Sequence, residues 1–250
     1  MSARLSRALS GAAGLAVLLV LWELAGRRGW LGASWPPLSA VLAYLAAPQN
    51  RPLLLDATAR TAQEAFVGYF IGSVVGSLGA TCGLLVPPSA PGIDRLAATV
   101  NGVPIIAVGS LCAVTFPPAI NPIVVAALGT FFVLFVAATT GFGAVANAHR
   151  ELFTALGASR WTTFRRLAIP SAVPALADGL RAAAPVAVVG AIIGEWFASE
   201  RGLGPLLVNA MQNYQTTLLW SAALLGAVLS AIAYALLGLV QRGAARRYRP

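Results

Sequence analysis

Few side chains in this sequence are equipped for chemistry, and they are grouped. Residues 151–170, ELFTALGASRWTTFRRLAIP, hold one glutamate and several hydroxyls, and with Arg150 just ahead of them the stretch carries four arginines. Asp178 and Arg181 follow, one helical turn apart, a spacing that lets a carboxylate and a guanidinium pair. Glu195 stands near the end of a long apolar run. A charge at the centre of a membrane helix costs about 2.5–3.5 kcal/mol on insertion scales and less near the interface, so such a residue is a functional candidate by default. Glu195 lines the mouth of a pathway or meets a partner protein; alternatively it is an interface carboxylate paired with Arg201 or left in water. The hydroxyls and amide of Asn101, Ser110 and Thr115, and of Thr130, Thr139 and Thr140, suit either solute contacts or hydrogen bonds between helices. Cys82 and Cys112 have no ligand or disulfide spacing and read as small buried side chains. His149 has no metal-binding companions, and no role is assigned to it. No nucleophile and base, and no metal-ligand set, come together as catalysis would require.

Composition says what must position these groups. Of the 250 residues 58% are hydrophobic and only 10% charged, with a mean hydropathy of +0.78. Soluble domains carry about 25% charged residues, so this is a membrane protein. All 17 basic residues are arginine. A phosphate-binding loop needs a lysine to reach the β- and γ-phosphates, so the chain is not a P-loop ATPase. The net charge of +9 resides mainly in loops and tails, which is a topology signal and gives no reason to expect nucleic acid.

A spanning helix takes about 20 apolar residues. Six runs qualify, at residues 9–26, 61–86, 96–116, 120–146, 173–198 and 218–241, in one all-α transmembrane domain covering 1–250. The first reads as an uncleaved helix, because it runs on through Trp22 and Glu23 without a small-residue cleavage site. Gly68, Gly72 and Gly76 recur every four residues and mark a face for close helix packing. With the N-terminus inside, eleven arginines fall on inner segments and five on outer ones, which obeys the positive-inside rule. Both termini and the 147–172 loop are then cytoplasmic. The loop reads as a helix, a turn at Gly157 and a second helix over Trp161–Leu167 that stops at Pro170. Its apolar residues fit docking into a groove of another protein, and its arginines fit a charged loop among lipid headgroups.

The spacing Glu151, five residues, Gly157, nine residues, Leu167, one residue, Ile169, Pro170 resembles the EAA loop of ABC-importer permeases, with Leu152 and Phe153 in place of its two alanines. Gly179–Arg181, Glu195 and Gly202–Gly204, with the proline-rich WPPLSAV at 35–41 and Arg60 ahead of the glycine stripe, resemble the nitrate/sulfonate/taurine branch, to which riboflavin and pyrimidine-precursor importers are also similar. NGVPIIAVGSLCAVTF departs from that branch in lacking a second proline and a Trp-Phe-Gly ending. The resemblance implies the type I importer fold. It implies that the loop is a coupling helix seated in a partner ATPase, with Leu152, Phe153 and Leu156 as anchors, Glu151 and Arg160 as polar contacts, Gly157 as the turn and Pro170 closing the motif. Arg165 and Arg166 face either the ATPase or phospholipid. The implied partners are two ATPase subunits holding ATP and magnesium, a second permease that is identical or related, an extracytoplasmic binding protein and the bilayer of a bacterial inner membrane. The implied solute is small, a sulfonate, nitrate, riboflavin or thiamine precursor, and this chain itself carries no cofactor and catalyses nothing. An ion-coupled secondary transporter and a membrane scaffold without a pathway are the rival readings.

Overall fold

The structure, a computed structural model, describes residues 3–248, with side chains described for 9–243. Arg4, Arg7, Arg246 and Arg247, four of the topology arginines, lie outside the described side chains, and Arg249 lies outside the described residues. Every regular element among the described residues is helical: α1 (Ala3–Arg28), α2 (Leu38–Ala46), α3 (Arg51–Leu85), α4 (Ala90–Gly102), α5 (Ile105–Thr115), α6 (Asn121–Gly143), α7 (Asn147–Ala155), α8 (Arg160–Thr163), α9 (Ile169–Ala198), α10 (Leu203–Gln212) and α11 (Thr216–Tyr248). Five helices are long and apolar enough to cross a membrane, and the count is six if the bent pair α4–α5 is one span.

That bent pair differs from the single straight run expected over 96–116. The chain turns by 93° between the two helices. Pro104 has no N–H to donate and excludes Val103 from the helical region, so Val103 is extended, with φ −78° and ψ 126°. The apolar composition continues through the break, which is why hydropathy alone reads one span. Helix α3 differs in length. Its 35 residues measure about 52 Å at about 1.5 Å per residue, more than the roughly 30 Å of hydrocarbon, so it projects beyond the bilayer.

The core is built around α6, packed between α3 and α9. Gly68, Gly72 and Gly76 are buried against α6. A Cβ on Gly68 would lie 2.5 Å from the Ala126 Cβ, and one on Gly76 would lie 2.9 Å from the Phe131–Phe135 backbone at Phe135 N. The two backbones therefore touch along the stripe. Gly190 and Gly194 of α9 admit the backbone of α6 at Ala126 and Pro122 in the same way, so the three helices meet at Ala126. Alanines 126, 138, 172, 183 and 191 are fully buried, so the packing is fine-grained and close throughout.

Helix α1 is the exception. Of the residues Leu9–Arg28 only Ala25 is buried, and residues 9–21 are all exposed. It is held at one end, where Trp22, Trp35 and Trp220 form an aromatic cluster with centroids 4.3–5.9 Å apart. Trp22 Nε1 donates to the Pro36 carbonyl at 3.1 Å, and Trp220 Nε1 donates to Ser34 at 2.9 Å. Glu23 accepts from the Ser39 backbone and hydroxyl, both at 2.8 Å, placing its carboxylate at the N-terminus of α2. Trp220→Ala removes two of the three ring pairs, each worth about 0.5–1.5 kcal/mol beyond its buried area. The expected result is a several-fold faster protease cut in the 29–37 turn, with the α3–α6–α9 core still intact by size exclusion.

Candidate functional site

Two groups of residues sit at opposite ends of the core: a loop at one and a buried polar knot at the other. The loop begins with α7, an amphipathic helix starting at Asn147, four residues before Glu151. Gly157 ends it with φ +70°, a backbone that an L side chain rarely adopts. Its N–H donates to Thr154 O at 3.0 Å and Ala158 N–H donates to Phe153 O at 2.9 Å, the paired bonds of a Schellman cap. Ser159 then starts α8, its hydroxyl accepting from Thr162 N–H at 3.2 Å. The reversal is thus specified residue by residue.

The second helix does not stop at Pro170, which corrects the sequence expectation. It runs through a π turn, Phe164–Ala168, directly into α9. Proline lacks the donor for a regular ladder, and the wider turn just before it absorbs the mismatch. A force on the loop is therefore transmitted into α9 without a break in the chain's helical path.

The loop is anchored on both sides. Arg150 Nη2 donates to Phe142 O at the end of α6 at 2.8 Å, and Arg160 Nη1 donates to Leu85 O at the end of α3 at 3.4 Å. Cations at helix C-termini are favourable there. Phe164 is buried edge-to-face on Phe142, with centroids 5.7 Å apart. Beyond these anchors the apolar tip is open: Leu152 is 53% exposed, Leu156 74% and Trp161 59%. Phe153 is half-buried, and Glu151, Arg165 and Arg166 are exposed. Leu152 and Leu156, four residues apart, share a face.

At the opposite end Glu195 is fully buried, which corrects both sequence expectations for it: it faces neither a mouth nor water. Its Oε1 accepts from the Thr61 hydroxyl at 2.6 Å and its Oε2 from Gly204 N–H at 2.7 Å. Thr61 Oγ1 in turn accepts from Leu203 N–H at 2.9 Å. The carboxylate therefore joins α3, α9 and α10. Gly202 and Gly204 make room for it; a Cβ on Gly204 would lie 2.6 Å from the Glu195 Cβ. Glu64, 2% exposed and one turn after Thr61 on α3, accepts from Arg60 Nε at 2.6 Å. Nearby, buried Asn121 donates to Gly194 O at 2.8 Å, fastening α6 to α9. Thr61 and Glu64 escape the sequence reading. The signal for Glu64 is a carboxylate inside an apolar run, one turn after Arg60.

The other expected residues do not converge on Glu195. Asn101 and Ser110 are exposed on either side of the α4–α5 bend, and the Ser110 hydroxyl donates to Ala107 O. Thr139 donates to Phe135 O and borders a cavity of about 250 Å³ with Asp94 and Arg150, near the loop end. Asp178 and Arg181 are linked through a third residue, which corrects the expected direct pair: Arg181 Nη1 donates to Gln241 Oε1 at 2.5 Å, and Gln241 Nε2 donates to Asp178 Oδ1 at 2.6 Å. The Arg181 guanidinium lies 4.0 Å over the Tyr234 ring, fixing α9 to α11. Cys112 is buried but Cys82 is exposed, against the expectation for it, and both are free thiols. Among the described residues no three of His, Cys, Asp and Glu are grouped as a metal site requires.

The sequence of residues 68–250 matches the family model described as the binding-protein-dependent transport system inner membrane component. The formylaminopyrimidine transport permease of Halalkalibacterium halodurans is 37% identical over 103 residues, 41% of each chain. The riboflavin transport system permease of Chloroflexus aurantiacus is 30% identical over 143 residues, 57% of this chain and 53% of that one. The alignments thus span about half or less of either relative. An inward-facing structure of the MetNI methionine ABC transporter superposes with a TM-score of 0.68 at 16% identity, covering 79% of this chain and 99% of that chain, which shows the same fold.

Proposed function

Since this chain belongs to the family of binding-protein-dependent transport system inner membrane components, multi-pass permease subunits of ABC importers, we propose that it couples ATP hydrolysis in partner subunits to import of a small solute. The observation that carries this reading is the loop: an apolar tip held open on a capped helix–turn–helix, braced to α3 and α6 by Arg160 and Arg150 and continuous with α9. Exposed leucines on a capped amphipathic helix, with a tryptophan just beyond its turn, are the elements of helix-in-groove docking. The arginine distribution supports placing this end in the cytoplasm.

In this reading two ATPase subunits bind ATP and magnesium below a pair of permeases, and a binding protein outside delivers the solute. Closure of the ATPases moves the loops, and α9 carries the motion to the Glu195 knot at the far end. The permease chain supplies the path and the lever, and the bond-breaking chemistry stays in the partners. The solute belongs with those of the sulfonate, nitrate, riboflavin and thiamine-precursor importers; the formylaminopyrimidine and riboflavin permeases among its relatives support the last two.

The test is co-purification of the tagged chain from its own host, followed by uptake into proteoliposomes. The expected outcome is an ATPase in the purified complex and uptake that needs ATP and a binding protein. Uptake driven by an ion gradient without ATP would reject the proposal.

A further inference from the structure

Glu64 and Glu195 pose a problem of donors and of charge. Both are buried, at 2% and 0% exposure, and Thr61, one helical turn before Glu64 on α3, donates to Glu195. Their four carboxylate oxygens meet three donors. Thr61 serves Glu195 Oε1, Gly204 N–H serves Glu195 Oε2, and Arg60 serves Glu64 Oε1. Glu64 Oε2 is buried with no donor at all. Charge shows the same deficit, because the one guanidinium, itself partly exposed, pairs with Glu64, and Glu195 has no cationic partner of its own among the described residues. Two adjacent buried carboxylates do not both ionise when a single neutralising charge is present.

Nothing else in the surroundings makes up the deficit. On α3 the neighbouring charge is Arg60 itself. Glu200 and Arg201, after α9, border the same cleft as a further pair of opposite charges. Helices α6 and α10 contain no ionisable side chain, α5 contains only Cys112, and those of α11 begin at Tyr234, toward its other end. One proton removes both deficits at once, by giving Glu64 Oε2 a hydrogen bond and by lowering the pair to a single negative charge opposite Arg60.

We propose that Glu64 and Glu195 form a proton-binding site, holding one proton between them where α3, α9 and α10 meet. The proton comes from solvent through the cleft of about 210 Å³ bordered by Arg60, Glu64, Pro118, Ser199, Glu200 and Arg201. It adds to one carboxylate oxygen and is shared with the other, and no other bond forms or breaks. Removing the proton places two negative charges on facing helices, so occupancy of this site governs how firmly the outer ends of α3 and α9 are joined.

The test is infrared spectroscopy of the assembled full-length complex in nanodiscs at neutral pH. Wild-type protein is expected to show a protonated-carboxyl C=O band that shifts in deuterium oxide and on carbon-13 glutamate labelling, with no shift on aspartate labelling. Glu64→Gln is expected to lose that band while keeping the wild-type thermal midpoint, because its amide puts a donor at the orphaned Oε2 position, and Glu195→Gln is expected to lose the band with a lowered midpoint, because its amide replaces an oxygen that accepts from Thr61 or Gly204. Absence of a glutamate band in wild type overturns the proposal without need of any variant. A band that survives in either variant also overturns it, since the proton then belongs to the remaining glutamate alone. A band that appears only when sodium is replaced by choline overturns it too, by assigning the site to a metal cation.

Discussion

Leu156→Asp is expected to abolish the proposed ATP-driven uptake while leaving the protein folded in the membrane. The side chain is 74% exposed at the tip of the loop, so its replacement removes no internal packing. In the proposed assembly the same position is an apolar anchor in a groove of the ATPase, and an aspartate there would be desolvated without a partner. Loss of a central apolar anchor costs about 2–4 kcal/mol, equivalent to roughly 30- to 1000-fold weaker docking. The measurement is co-purification of the ATPase with the variant, alongside uptake. Leu31→Asp is the matched control: it is 58% exposed in the turn between α1 and α2, at the opposite end, and is expected to retain ATPase binding. Equal ATPase recovery with both variants would mean that the loop tip is not the dock.

The second large effect concerns the fold. Gly72→Leu is expected to yield little folded protein. A Cβ at this position would lie 2.7 Å from Thr130 Cβ and 2.9 Å from Phe131 N, and it would also meet the Ala127 carbonyl. Two of these three atoms belong to the backbone of α6, which cannot rotate aside. The helices must separate, undoing the contacts of Gly68 and Gly76 as well, at a cost of about 3 kcal/mol or more. The readout is the monodisperse fraction on size exclusion and the thermal midpoint in detergent. Gly83→Ala on the same helix is the control, because its Cβ would rest 3.6 Å from Ala90 in ordinary contact. A stable Gly72→Leu protein would show that α3 and α6 do not meet through this stripe.

These two sites differ in how far they can be read from sequence. The glycine stripe has the period of the helix that carries it, so a single segment reveals it. The loop likewise shows its glycine, its arginines and its apolar residues within twenty positions. The knot does not, since Thr61 and Glu195 are 134 residues apart and nothing in either segment names the other. Glu195 therefore reads as a carboxylate near an interface, whereas the folded chain encloses it completely. Asp178 and Arg181 mislead in the opposite way: their spacing proposes a local pair, and Gln241, sixty residues further on, takes the place between them. Pro104 is visible in the sequence, but whether a proline bends a span or merely interrupts its ladder depends on what packs beside it. Periodicity reports what one helix does alone, and the polar contacts here are made between helices.

The single attachment of α1 has a consequence for how the chain is made. Trp220 lies 186 residues beyond Ser34, to which it donates, and belongs to the last helix. Helix α1 precedes the other described spans, and until α11 is made its attachments are local ones, from Trp22 to Pro36 and from Glu23 to Ser39. Its mean hydropathy of 1.8 over Leu9–Arg28 suits that wait, since lipid alone satisfies it. The tryptophan cluster closes only when α11 arrives, so a chain truncated before residue 220 keeps the Trp22–Trp35 pair and lacks the two pairs that Trp220 makes.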